Sequence, residues 1–412
     1  MKNKIVIIGA GPAAVSVVET VRAYDRDSSI VMLSAEPYPP YSPPAMVDHF
    51  LTGSKAHFWR PEDWTRQMGV DYRSSTRAQR IVPEERRLIL QDGQDIDYER
   101  LVIATGSRLY APLDGADLSG VYNFKSLSAA EELIGRVQRR EAKRAIIVGA
   151  GFIGIEIALL LRHLGVDVTQ VEMMAQVMPN MLDTHTASVV QQVLERRGVD
   201  LQLQTKAKAF TGNGKAEGVL LDSGEVLRAD LFIAATGVRP NLEVLQDSEI
   251  AHDWGITVDD HLQTSAPGVY AAGDVVEAPD RISGECYVHA IFPNAITQGQ
   301  VVGFNLLGYD TSYEGADRMN SLKHLGLPVI AAGWKEGDEV LSAKVNGGMR
   351  TLYLRENRLV GFQLVNDIRA AGVLRSLMNR KQDIGTIKAW LLEPGFGIGV
   401  LAWQAGNGAF VK

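Results

Sequence analysis

Apolar residues in the first three quarters of the chain come in short unbroken runs, alternating with stretches of helical period. Lys4–Ile8 reads as a buried strand, Ala13–Tyr24 as a helix and Ile30–Ser34 as a second strand. The same order returns about 140 residues later. Ala145–Val148 is predicted as a strand, Phe152–Leu164 as a helix and Asp167–Val171 as a strand. Strands that are apolar on both faces and separated by helices belong in a parallel sheet covered on both sides. The pattern therefore predicts an α/β chain with two βαβ units, not a short-period repeat.

Pro37 to Pro44 is the richest stretch in proline and excludes a helix or a central strand there. It follows the second strand, where a loop is expected. From about Met319 the pattern changes. Val329–Ala332, Thr351–Leu354 and Leu359–Val365 are expected as antiparallel strands, with helices over Asp367–Asn379 and Ile384–Leu392. These predict a separate C-terminal α+β domain. The tail beyond Pro394, with Gly395, Gly397, Gly399, Gly406 and Gly408, is expected to be irregular.

At 412 residues the chain has room for two or three domains. Its net charge is −7 and no long basic cluster occurs, which argues against nucleic acid as a partner. Arg136, Arg139, Arg140, Lys143 and Arg144 read as a solvated helix face. The one cysteine, Cys286, rules out a disulfide framework and fits a reducing, cytoplasmic setting; it is expected to be a small buried residue. The first apolar run is too short for a secretion signal, and no run of 18 apolar residues exists to span a membrane. No metal site is expected, and His289 and His324 stand alone, with structural or surface roles.

The chemistry lies in the turns. Ile5-Val-Ile-Ile-Gly9-Ala-Gly11-Pro-Ala13-Ala14 runs from strand through a Gly-rich turn into a helix. Gly9 permits the turn, Gly11 lets the backbone approach a pyrophosphate, and Ala14 stands where a third glycine often sits. The helix start offers free N–H groups and a positive dipole end. Glu36, 25 residues beyond Gly11, is placed to accept from ribose hydroxyls. Gly149-Ala-Gly151-Phe-Ile-Gly154 is a complete second fingerprint, and Glu172 follows Gly151 by 21 residues. A carboxylate there favours a free 2′-hydroxyl, and Met173, Met174, Ala175 and Gln176 offer no cation for a 2′-phosphate. NAD(H) is expected over NADP(H).

Two more apolar strands end in Ala-Thr-Gly, at Ala104-Thr105-Gly106 and Ala235-Thr236-Gly237, and Gly273-Asp274 closes a third. Fingerprint, Ala-Thr-Gly, fingerprint, Ala-Thr-Gly and Gly-Asp, in that order over roughly residues 1–310, resemble the pyridine nucleotide–disulfide oxidoreductase superfamily. The resemblance implies a glutathione-reductase-like fold with two Rossmann-like domains. Residues 1–115 and 240–315 would form a discontinuous FAD domain, 116–239 the NAD domain and 316–412 the C-terminal α+β interface domain. Gly9, Gly11, Ala13, Ala14 and Glu36 would then hold the FAD adenosine and pyrophosphate, and Ala78 would reach the adenine through its backbone. Ala104, Thr105 and Gly106 would line the FAD crossover. Gly149, Gly151, Gly154 and Glu172 would serve NAD, and Gly237 and Gly273 would complete the cofactor-binding set. Asp274 would accept from the flavin ribityl chain; its plain alternative is a helix N-cap or turn aspartate. A helix beginning near Asn294 would aim its N-terminus at the flavin pyrimidine.

The departures narrow the resemblance. Tyr41-Ser-Pro-Pro-Ala-Met46 holds no sulfur nucleophile where the disulfide reductases carry cysteines, so thiol chemistry is not expected. What remains resembles the NADH-dependent ferredoxin and rubredoxin reductases, and the NAD-linked flavoprotein subunit of 2-oxoacid acceptor oxidoreductases of the phenylglyoxylate dehydrogenase type. Arg355-Glu-Asn-Arg-Leu-Val-Gly361 resembles the small domain of nitrite-reductase-type NADH flavoproteins. The implied partner is an iron–sulfur electron-transfer protein, or an iron–sulfur subunit within a multi-subunit complex, although an acidic chain meets an acidic ferredoxin slowly. The Arg of the Tyr-x-Arg-Pro-Pro loop is missing, and no Lys is evident to pair with the glutamate of the NAD helix. Glu156 matches that glutamate and is the one catalytic candidate; a plain helix-surface glutamate is the alternative. Two other functions fit the same motifs: a stand-alone NADH:quinone or oxygen diaphorase, and an interaction protein with structural FAD.

Overall fold

The computed structural model describes residues 4–397 and 399; the tail glycines Gly406 and Gly408 lie outside the described residues. Its first sheet has five parallel strands in the order Val269–Ala271, Arg100–Ile103, Lys4–Ile8, Ser29–Leu33, Val70–Arg73. The second repeats the plan with Val199–Gln202, Asp167–Val171, Arg144–Val148, Leu231–Ala234 and Val121–Tyr122, also parallel. In each, the βαβ unit read from the sequence lies at the centre. Its strands bury nearly every residue, as the apolar runs predict.

In both sheets the chain leaves the central strand to one side first and returns to the other. The carboxyl edge beside that strand is therefore a topological switch point, where open α/β sheets leave a crevice. Helices Pro12–Tyr24 and Phe292–Leu306 pack side by side at the first crevice. Small residues allow the close approach: a Cβ on Gly299 would lie 2.4 Å from the Ala13 carbonyl oxygen. The Ser16 hydroxyl donates to the Ile296 carbonyl at 2.8 Å. The second helix begins at Phe292, two residues before the expected Asn294.

Two antiparallel strands, Ser107–Tyr110 and Gly237–Pro240, cross between the halves. Residues 319–365 form a five-stranded antiparallel sheet in the order Met319–Leu322, Val329–Gly333, Arg358–Val365, Gly348–Arg355, Glu339–Val345. Two of these strands, Met319–Leu322 and Glu339–Val345, were not predicted. Both are edge strands with half-exposed or exposed faces, so neither carries a continuous apolar run.

Other expectations need correction. The helix expected from Asp367 begins at Ala371. The Asp367 carboxylate instead accepts from the Arg369 backbone and guanidinium and from Asn346, a local turn that competes with helix. The helix expected over Ile384–Leu392 shrinks to one turn, Lys388–Leu391; the residues before it form a turn in which the Ile387 N–H bonds the Ile384 carbonyl at 2.9 Å. Proline-rich residues 37–44 stay irregular up to Pro43–Ala45, a single 3₁₀ turn that leads into helix Met46–Thr52. Cys286 is exposed, on strand Cys286–Val288. Arg136 is not solvated: it donates to the Tyr122 hydroxyl and the Asp230 carbonyl, each at 3.1 Å.

Candidate functional site

The two Gly-rich turns have nearly the same geometry. Gly9 and Gly149 sit at the ends of their strands with φ of +115° and +105°, a region closed to other residues without strain. A Cβ on Gly9 would fall 2.1 Å from the Ala104 carbonyl oxygen, and one on Gly149 would fall 2.4 Å from that of Ala235. Each turn is thus threaded against the neighbouring strand's Ala-Thr-Gly. Gly154 packs in the same way on the Gly149 carbonyl oxygen, 2.5 Å from where its Cβ would be. Gly11 and Gly151, by contrast, face open space, with nothing within 4 Å of an added Cβ. Both are N-caps without a side-chain hydrogen bond. Two helix starts with free N–H groups and clear approach fit a bound pyrophosphate at each turn. Ala13 and Ala14 are buried in the first turn of their helix.

The two acids are more engaged than the sequence suggests. Glu36 accepts from the Ser128 N–H at 3.0 Å, the Ser128 hydroxyl at 2.8 Å and the Tyr41 hydroxyl at 2.5 Å. The same Tyr41 oxygen accepts the Leu127 N–H. Burial and the nearby Glu36 charge push the Tyr41 phenol far above its ordinary value, so it stays a neutral donor. Glu172 is buried, and its oxygens accept the N–H groups of Ala150 at 2.8 Å and Met174 at 2.9 Å. A carboxylate has about four lone-pair sites, so both acids keep acceptor capacity. Met173 and Met174 beside Glu172 are exposed.

Ala78 opens strand Ala78–Val82, half-buried. Ala104 is buried behind the first turn. Thr105 and Gly106 are locked to Asn241, which enters the crossing pair. The Thr105 hydroxyl donates to the Asn241 carbonyl at 2.8 Å, and the Asn241 amide donates to the Thr105 carbonyl at 2.9 Å. The Asn241 N–H donates to the Gly106 carbonyl at 2.9 Å. Gly237 is exposed at the start of its strand, with open space around it. Gly273 accepts a close neighbour, Ala13, and donates its N–H to the Gln298 side chain at 2.7 Å. That bond ties the Gly-Asp turn to the Phe292–Leu306 helix.

Asp274 caps no helix, since the chain turns from it into strand Val276–Pro279. Its carboxylate instead forms an ion pair with Lys125 and accepts from Ser107 at 2.9 Å. The Lys125 ammonium also reaches the Ser107 hydroxyl. The two charged side chains are only 14% and 20% exposed. Lys125 escaped the sequence reading. It lies outside any motif, directly before the Ser126 N-cap, and only the fold brings it to Asp274.

Glu156 is buried, not a surface residue. It accepts the Lys323 N–H at 3.2 Å and pairs with His324 Nδ1. The other ring nitrogen, Nε2, lies 2.8 Å from an Asp48 carboxylate oxygen. His324 therefore does not stand alone, as the sequence suggests, but joins three distant segments. His289 is buried and makes no ion pair among the described residues, and burial, outweighing the charge of Asp280, holds its pKa below the ordinary value. No cluster of three His, Cys, Asp or Glu suited to a metal occurs among the described residues. No helix among them is long and apolar enough to cross a membrane.

Comparison with known proteins agrees with this geometry. The model of the pyridine nucleotide-disulphide oxidoreductase family matches residues 3–299. An NADH oxidase of Methanocaldococcus jannaschii is 33% identical over 75% of this chain and 71% of its own. The epsilon subunit of the NADH-dependent phenylglyoxylate dehydrogenase of Aromatoleum evansii is 29% identical over 94% of both chains. The chain spans about half the length of two further curated relatives. A NAD-dependent persulfide reductase from A. fulgidus, 24% identical, shares the fold with a TM-score of 0.85 over 98% of this chain and 84% of its own. Two matched nucleotide turns on paired parallel sheets, together with a family match across both, lead to one conclusion: this chain belongs to the pyridine nucleotide-disulphide oxidoreductase family and is an NAD(H)-dependent flavin oxidoreductase.

Proposed function

We propose that this chain carries electrons between NAD(H) and an iron–sulfur protein or subunit, as the NAD-linked flavoprotein of a 2-oxoacid acceptor oxidoreductase complex of the phenylglyoxylate type. The carrying observation is the absence of a sulfur nucleophile from the cleft. Tyr41–Met46 contains no cysteine, and the one cysteine of the chain, Cys286, is exposed on a strand of its own small sheet. Electrons that leave the flavin without a thiol need an external carrier. The full-length likeness to the Aromatoleum epsilon subunit supports a subunit role. A work site in the reducing cytoplasm is compatible with the lone free cysteine.

In this reading the first turn, with Gly9, Gly11, Ala13, Ala14 and Glu36, receives FAD. Ala78, Ala104, Thr105, Gly106, Gly273 and Asp274 complete that site. Gly149, Gly151, Gly154, Glu172 and Gly237 receive NAD(H). The fifth strand of the first sheet, Val269–Ala271, returns from beyond the second sheet, which supports a discontinuous FAD domain of residues 1–115 and 240–315. The intervening residues 116–239 would form the NAD domain and 316–412 the interface domain. FAD supplies the conversion between a hydride, taken as an electron pair, and electrons delivered singly. The protein supplies position. Free helix N–H groups bind the pyrophosphates, Asp274 and Lys125 orient the middle of the cofactor, and Glu172 selects a free 2′-hydroxyl.

Purified protein should be yellow and bleach rapidly with NADH. Turnover should be fast with an iron–sulfur carrier and slow with oxygen, and the chain should co-purify with iron–sulfur subunits. A colourless protein that stays colourless after incubation with FAD would end the proposal. The 33% likeness to an NADH oxidase favours a second reading, a stand-alone NADH oxidase or diaphorase. Fast turnover with oxygen or quinone alone would select it.

A further inference from the structure

His324 lies at the meeting point of three segments far apart in sequence. Asp48 comes from helix Met46–Thr52, Glu156 from helix Phe152–His163, and His324 from the loop between strands Met319–Leu322 and Val329–Gly333. The two helices pack together, and Met46, Val47, Ile155, Leu159, Leu322 and Leu325 share one apolar core around the junction. Within it, the side chains of His324 and Glu156 are only 15% and 9% exposed.

Both ring nitrogens face carboxylate oxygens, Nε2 to Asp48 and Nδ1 to Glu156. Ionised carboxylates only accept hydrogen bonds, and a neutral imidazole donates from one nitrogen only. Both contacts are satisfied together when the ring carries two protons. The charge count agrees: with an imidazolium the cluster carries one net negative charge, and with a neutral ring it carries two, on a buried Glu156 and an Asp48 that is 41% exposed. The other cation nearby, Lys323, is exposed and gives Glu156 only its backbone N–H. His49, next to Asp48, turns instead to the Ser54 carbonyl and the His57 ring.

We propose that His324 is a positioning residue for hydride transfer: as an imidazolium clamped between Asp48 and Glu156, it holds the helix that follows the second nucleotide turn in register with the segment that follows the first. This rests on the NAD(H)–flavin reading. In the step itself NADH loses its hydride, a proton with two electrons, and leaves as NAD⁺, while the flavin gains the hydride. His324 keeps its proton throughout. Its work is geometric, because rate falls steeply when two reacting rings lose alignment. Burial of the ring opposes its charge, but the hydrogen bonds and charges of Asp48 and Glu156 prevail and raise its pKa. The clamp therefore persists to higher pH than the charge of an unpaired histidine and loosens as pH rises through the raised value.

The test has two parts on the flavin-loaded full-length protein. Histidine NMR, with His324 assigned by comparison with His324→Gln, should show a ring still doubly protonated at neutral pH. Asp48→Asn should lower its pKa. Stopped-flow bleaching by NADH across pH should show an alkaline decline in the wild type. His324→Gln should be about tenfold slower with that decline absent, a barrier change of about 1.4 kcal/mol. His324→Lys should recover rate and move the decline upward. A ring neutral at pH 7, or a Gln variant with the wild-type rate and decline, overturns the inference while leaving the NAD(H) reading intact. If NADH fails to bleach the wild type, that reading falls and takes this inference with it.

Discussion

Glu36 and Ser128, 92 residues apart, share two hydrogen bonds of 3.0 and 2.8 Å. Glu36 ends the first βαβ unit, and Ser128 lies in the first turn of helix Leu127–Gln138, which leads into the second. The acid read from the sequence as a ribose acceptor is thus also a strut between the halves, placed where a helix start favours negative charge. Glu36→Gln should weaken this strut and, with it, the proposed ribose contact. One of its oxygens becomes a donor and loses either Tyr41 or Ser128, which should cost about 1–2 kcal/mol. Denaturant unfolding and flavin titration should both register the change.

Replacing Gly9 by Ala should deplete the purified protein of flavin. The new Cβ would collide with the Ala104 carbonyl at a positive φ, and overpacking of this kind costs about 1–3 kcal/mol. Gly149→Ala meets the same clash at Ala235 but should leave the flavin colour intact. It should instead raise the NADH concentration needed for half-maximal bleaching. Absorbance ratios and bleaching curves separate the two; equal flavin loss in both variants would count against two distinct cofactor sites.

Removing the Asp274 carboxylate as Asp274→Ala leaves the largely buried Lys125 with Ser107 alone. Breaking a buried ion pair from one side costs roughly 3–5 kcal/mol; the partial exposure here places the expected loss near the low end. Lys125→Met with Asp274→Asn should recover much of the fold stability but not the flavin affinity. Thermal unfolding, read beside flavin titration, tests this.

Glu172→Ser should narrow the preference for NADH over NADPH, because it removes a buried carboxylate that would repel a 2′-phosphate. It also strips the Ala150 and Met174 N–H groups of their acceptor, so a fall in stability of about 1–3 kcal/mol is expected. The ratio of kcat/KM for the two nucleotides is the measurement. An unchanged ratio would remove Glu172 from coenzyme selection.

Histidines at two places should tilt stability with pH in opposite directions. Burial lowers the pKa of His289 below its unfolded value. Its contribution is present above about pH 6.5 and is lost on acidification, because the unfolded chain then binds the proton more readily. His324, with a raised pKa, contributes fully below about pH 6.5 and loses that contribution as pH rises through the folded value. Urea unfolding between pH 5 and 9 should show the acid slope shrink in His289→Gln and the alkaline slope shrink in His324→Gln.

By itself the sequence determined the two βαβ units, their glycine turns, the acids that follow them and the antiparallel core of the last domain. These are local matters: strand and helix periods, glycines at positive φ and fixed spacings act over a few tens of residues, and they are written in consecutive positions. Tertiary structure alone decided that Glu36 bonds Ser128, that Lys125 meets Asp274, 149 residues away, and that His324 joins Asp48 and Glu156 across 276 and 168 residues. It also placed Cys286 in the open and cut short the two helices expected near the end of the chain. Burial and charge pairing depend on what the rest of the chain brings alongside, and no window of neighbouring residues contains that information.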